Sequence, residues 1–154
     1  MQAVILAGGK GTRLRPYTTV LPKPLMPIGD MPVLEVVLRQ LRRAGFTRVT
    51  MAVSYLAELI EAFCGDGSRF GLSIAYSREE QELSTAGPLK LIRGLDETFL
   101  VMNGDLLTTL DYAALLRRHK EQGAAATIAA HRRTVKIDYG VIEPGPDGTL
   151  GDYI

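Results

Sequence analysis

Ala3-Val4-Ile5-Leu6-Ala7-Gly8-Gly9-Lys10-Gly11-Thr12-Arg13-Leu14-Arg15-Pro16 is the stretch on which the fold turns. Its apolar first half, Gln2–Ala7, has the length and composition of a strand buried on both faces, as parallel strands are. The strand then breaks into glycines, a hydroxyl and cations. Glycine lets backbone N–H groups approach an anion, and successive N–H groups in a tight turn form an anion-binding concavity. Lys10, Arg13 and Arg15 add charge that a purely structural turn does not need. A buried strand ending in a phosphate cradle is the expectation.

Outward from this loop, strand-like and helix-like segments alternate. Pro32 opens a helix over 33–45, with an apolar stripe at Leu34, Val37, Leu38 and Leu41 and Gly45 as its stop. Arg48–Val53 reads as a second strand, Leu56–Cys64 as a helix and Leu72–Tyr76 as a third strand. Ala86–Leu95 reads as a weaker helix. Phe99–Met102 is a fourth strand, ending at Asn103-Gly104-Asp105. Asp111 caps a helix that runs to Gln122 and stops at Gly123. Ala124–Ala130 and Tyr139–Glu143 read as further strands, and Gly145-Pro146-Asp147-Gly148 as a turn leading into another. This alternation predicts an α/β fold: a Rossmann-like, doubly wound, mostly parallel (mixed) sheet with helices on both faces. Ligands of such sheets sit beyond the carboxyl ends of the strands, so the glycine loop and Asn103-Gly104-Asp105 should share a crevice.

Bulk properties narrow the function. A chain of 154 residues with 46% hydrophobic and 23% charged residues suits one globular domain. A formal charge of +1 supplies no basic field for nucleic acid. No stretch reaches the roughly 20 apolar residues of a membrane span. No basic region precedes an apolar signal segment, so a cytoplasmic setting is expected. The single cysteine, Cys64, lies in an apolar-periodic stretch and reads as a core thiol.

Two familiar phosphate loops fail at defined positions. A P-loop needs lysine followed by Ser or Thr, but Gly11 follows Lys10. The dinucleotide fingerprint needs glycine where Leu14 stands, and its acidic residue after the second strand is absent from Val53-Ser54-Tyr55. Leu6-Ala7-Gly8-Gly9-x-Gly11-Thr12-Arg13-Leu14-x-Pro16, followed by Lys23-Pro24-Leu25, instead resembles the signature of the sugar-1-phosphate nucleotidyltransferases (NDP-sugar pyrophosphorylases). The resemblance extends over essentially the whole chain.

That resemblance implies transfer of a nucleotidyl group from a nucleoside triphosphate to a sugar 1-phosphate, giving an NDP-sugar and pyrophosphate. The loop from Leu6 through Ala7, Gly8, Gly9, Gly11 and Thr12 would wrap the triphosphate, Arg13 would bind pyrophosphate, and Lys23 would lie by the phosphates. Fixed cations there stabilise charge on the leaving group and the α-phosphoryl oxygens. Asp105 would hold Mg²⁺, which commonly takes one or two carboxylates plus phosphate oxygens. Asn103 and Gly104 would lie by the sugar, as would Tyr139 and Gly140 of Tyr139-Gly140-Val141. Gln81-Glu82-Leu83-Ser84-Thr85-Ala86-Gly87 resembles the family's nucleobase loop, with Gln81, Ser84 and Gly87 as contacts; serine replaces the usual glycine at Ser84. Neither the family's Glu-Lys-Pro segment nor its second metal-binding aspartate follows Glu143. Residues 1–154 are therefore expected to be a nucleotidyltransferase domain cut short before its C-terminal part. Arg13, Lys23 and Asp105 are the expected catalytic set, with nucleotide and sugar phosphate, not nucleic acid or membrane, as partners. An oligomer is compatible with the sequence. Two alternatives stand beside this reading: an inactive nucleotide-binding regulatory homologue, and a nucleotidyltransferase for a non-sugar phosphorylated acceptor.

Overall fold

The computed structural model describes residues 1–79, 86–135, 139–140 and 142–153. In chain order the strands are β1 (Gln2–Leu6), β2 (Pro27–Ile28), β3 (Met31–Pro32), β4 (Arg48–Val53), β5 (Ser73–Arg78), β6 (Leu100–Asn103), β7 (Ile142–Pro144) and β8 (Leu150–Tyr153). The helices are α1 (Val33–Arg43), α2 (Ala57–Cys64) and α3 (Tyr112–Gln122). The central sheet has four parallel strands in the order β5-β4-β1-β6. Antiparallel pairing is confined to the β2–β3 and β7–β8 hairpins among the described residues. The sheet grows outward from β1 through β4 to β5, then returns to the other side of β1 at β6. That reversal is the topological switch point of a doubly wound sheet, where ligands bind.

The apolar run of β1 earns its central place by burial on both faces: Ala3, Val4 and Ile5 are wholly buried. Ala3, Ile5 and Ala7 pack with Val49, Met51 and Val53 of β4 against Leu34, Val37, Leu38 and Leu41 of α1 and Ile60 of α2. Side chains alternate along a strand, so Gln2 and Val4 face the opposite side. There the connection from β5 to β6 crosses the sheet, and the Asp96 N–H donates to Gln2 Oε1 at 2.8 Å. The third expected helix lies in this connection and is only a short 3-10 helix, Gly87–Leu91. Ile92 is extended and Gly94 has φ +71°, so the segment ends after this short turn and does not extend into an α-helix.

α3 forms as its caps dictate: Asp111 Oδ1 accepts from the Ala114 N–H at 2.9 Å, and Gly123 ends the helix at φ +55°. Its Tyr112 meets Phe46 edge-on, with ring centroids 6.4 Å apart. The strand expected over Ala124–Ala130 is not formed. A strand needs a partner for its backbone groups, and β6 pairs only with β1 among the described residues. The strand expected over Tyr139–Glu143 is described as β7, from Ile142, paired through the Gly145–Gly148 turn with β8.

Candidate active site at the carboxyl edge of the sheet

Strand register decides which residues meet. Leu6 pairs with Ala52 of β4 and with Asn103 of β6, and Ala52 pairs with Ser77 of β5. The ladder closes one step further on: Ala7 N–H donates to Ala52 O, Gly104 N–H to Leu6 O, and Glu79 N–H to Val53 O, at 2.8–3.0 Å. All four strands therefore end at nearly the same height. The residues that follow them (Gly8, Ser54, Glu79 and Asp105) emerge around one cleft of about 900 Å³.

The cleft brings together most of the residues the sequence singles out. Leu6, Ala7, Gly8, Gly9, Gly11, Thr12 and Arg13 form one wall, Lys23 stands on a second, and Asn103 and Asp105 close the β6 side. Gly104 lies behind them, where a Cβ would come within 3.1 Å of Ile5 Cγ2 and 3.4 Å of Pro24 Cγ. Gly87 begins the 3-10 helix whose Pro88 lines the cleft, although Gly87 itself does not. Tyr139 and Gly140 are exposed and lie outside the lining. Gln81 and Ser84 lie outside the described residues.

The glycines of the loop have different reasons. Gly11 sits at φ +59°, and a Cβ on it would meet Thr18 Cγ2 at 2.9 Å. The buried Thr18 hydroxyl donates to Gly11 O at 2.9 Å and fixes the turn. Gly8 approaches β4, with Ser54 Cβ 3.2 Å from where its own Cβ would lie. A Cβ on Gly9 would meet nothing within 4 Å. Packing inside the chain explains Gly8 and Gly11; it does not explain Gly9, which leaves the cleft wall bare.

Lys23 opens the 3-10 helix Lys23–Leu25, anchored by the buried Pro24 and Leu25. Its Nζ forms an ion pair with Asp105 Oδ2. The sequence separately placed these two by the phosphates and by a metal; the fold puts them in direct contact. Arg13 lines the cleft and is exposed. Among the described residues no group of three or more His, Cys, Asp or Glu side chains could hold a metal by itself. One carboxylate on an open cleft does fit Mg²⁺ arriving with phosphate oxygens and water. Asp105 is the residue that would hold it.

Ser54 and Glu79 also line the cleft. Neither has a place in the site expected from the sequence. Each directly follows a parallel strand, so their signal was position at a carboxyl end rather than a motif.

A profile of the family "Nucleotidyl transferase" matches residues 2–153. The chain belongs to this family. Among its relatives, a UTP–glucose-1-phosphate uridylyltransferase of Synechocystis is 42% identical across 97% of this chain and 42% of its own length. A mannose-1-phosphate guanyltransferase of Candida albicans is 40% identical across 92% of this chain and 41% of its own length. This nucleotidyl transferase chain thus spans less than half the length of those curated relatives. A Bacillus anthracis protein crystallised with a sucrose superposes with TM-score 0.71 at 25% identity, covering 79% of this chain and 51% of its own. HddC from Yersinia pseudotuberculosis, complexed with GMP-PN, superposes with TM-score 0.66 at 24% identity over 99% and 68% of the two chains, a likeness of fold. Among the described residues no helix is long and apolar enough to cross a membrane.

Proposed function

We propose that the cleft transfers a nucleotidyl group from a nucleoside triphosphate to a sugar 1-phosphate, releasing pyrophosphate. The observation that carries this reading is the convergence of the glycine loop, Arg13, Lys23 and Asp105 on one cleft at the switch point between β1 and β6.

The phosphate oxygen of the sugar 1-phosphate attacks the α-phosphorus in line. The bond from that phosphorus to the bridging oxygen breaks, and its electron pair leaves with pyrophosphate. The acceptor is itself the nucleophile, so the protein contributes positioning and charge. Arg13, with a planar fork of donors, suits the pyrophosphate oxygens, and Lys23 supplies a point charge to the α-phosphate. Mg²⁺, held by Asp105, would neutralise charge on the phosphates. Gly9 leaves room for the chain of phosphates along the loop. Soluble nucleotides and sugar phosphates as substrates fit a cytoplasmic setting.

The backbones of Glu79 and Asp105 follow the two outer strands, β5 and β6, but the Glu79 carboxylate reaches back over β4 to the glycine loop, where its Oε1 lies 3.3 Å from where a Cβ of Gly8 would stand.

The test is a pyrophosphate-release assay of the full-length protein across four triphosphates and several sugar 1-phosphates, with and without Mg²⁺. Arg13→Ala and Lys23→Ala should each lower kcat by roughly 10²–10³, the range seen when one fixed donor to a developing anion is removed. Near-normal rates in both variants would remove the assignment.

A further inference from the structure

We propose that Lys23 is the resident counterion of Asp105 and couples metal binding to triphosphate binding, so that the empty cleft resists free divalent cations. This rests on the reading of Asp105 as the metal ligand. The ion pair joins the two groups directly, across a cleft that both line.

The backbone that presents Lys23 is pinned from both sides. Lys23 Cβ lies 3.3 Å from where a Cβ of Gly11 would stand, and Pro24 Cγ lies 3.4 Å from where a Cβ of Gly104 would stand. Leu25 N–H donates to Pro22 O at 2.8 Å and Met26 N–H to Lys23 O at 3.1 Å. The root of the lysine is thus wedged between the glycine loop and the turn that bears Asp105. Its ammonium is not wedged: it sits on a flexible four-carbon stem, and the side chain is 44% exposed. The group can exchange one anionic partner for another while its backbone stays in place.

With no nucleotide bound, that partner is Asp105. A free divalent cation must then displace the ammonium from the carboxylate and bind beside the repelling charge. A triphosphate changes the balance by offering Lys23 another set of anionic oxygens. The ammonium turns to the phosphates, and Asp105 becomes available as the metal arrives with its own phosphate ligands. Metal and triphosphate therefore favour each other's binding by the same factor, and Lys23 carries that coupling.

Mn²⁺ binding, followed by the paramagnetic resonance of the free ion, tests this without turnover. Nucleotide-free Lys23→Gln should bind Mn²⁺ about tenfold tighter than the unaltered protein, the scale on which one opposite charge a few ångströms away biases the state of a carboxylate. Lys23→Arg keeps the cation and should retain the weak binding. With the α,β-methylene analogue of the triphosphate that supports pyrophosphate release present, the advantage of Lys23→Gln should vanish or reverse. Equal nucleotide-free affinity in Lys23→Gln and the unaltered protein, with binding lost in Asp105→Asn, would overturn the coupling while leaving the metal ligand in place. Unchanged Mn²⁺ binding in Asp105→Asn, with and without the analogue, would overturn the metal assignment itself and the coupling with it.

Discussion

At Asp105, a carboxylate stands between an ammonium and an open cleft, and its replacement by asparagine keeps the shape while removing the charge. Asp105→Asn should raise the Mg²⁺ concentration needed for half-maximal pyrophosphate release, and an unchanged titration would take Asp105 out of the site. Arg13 and Lys23 were legible as cleft residues because they belong to a long local motif, whereas Asp105, in a three-residue turn after a strand, was legible only beside that motif. Ser54 was not, because a serine after an apolar run has no signature until the neighbouring strands fix its height.

Elements show the same division. α1 was legible from its 3.6-residue apolar stripe, which became the buried row Leu34, Val37, Leu38 and Leu41. Leu38→Ala should cost about 2–5 kcal/mol, read from urea unfolding, since Leu38 is wholly enclosed. The turn before β5 depends on a backbone that only glycine adopts easily. Gly67 has φ +85°, and a Cβ there would meet Ile74 Cγ1 at 2.5 Å and Leu72 O at 2.8 Å. Gly67→Ala should therefore destabilise by about 1–3 kcal/mol, and an unchanged unfolding midpoint would contradict that packing. Two expected elements, the helix at Ala86–Leu95 and the strand at Ala124–Ala130, did not form as expected. The first stops where Ile92 turns extended ahead of Gly94 as the chain crosses the sheet, and the second has no neighbouring edge to pair with among the described residues.

For the molecule as a whole, Cys64 reports on the integrity of the core. Burial between α2 and the sheet pushes its thiol from 9.0 up to about 12. Thiolate is the reactive form, so iodoacetamide should label Cys64 at pH 8 only as fast as the core opens, accelerating with urea. Rapid labelling of the native protein would show that the core is open at α2. The sign of the pH effect follows: the neutral buried thiol supports folding below about pH 9, and that support is lost as pH rises toward 12. Taken alone, the sequence determined most of the alternation of strands and helices, the parallel sheet and the glycine loop, because periodicity, glycine and proline act over a few neighbouring residues. Only the tertiary structure decided that Lys23 and Asp105 touch, that the Glu79 carboxylate lies beside Gly8, and that Gly104 packs closely against Ile5 and Pro24. Those facts depend on strand order and register, which are set by packing the two faces of the sheet and which no local stretch of chain encodes.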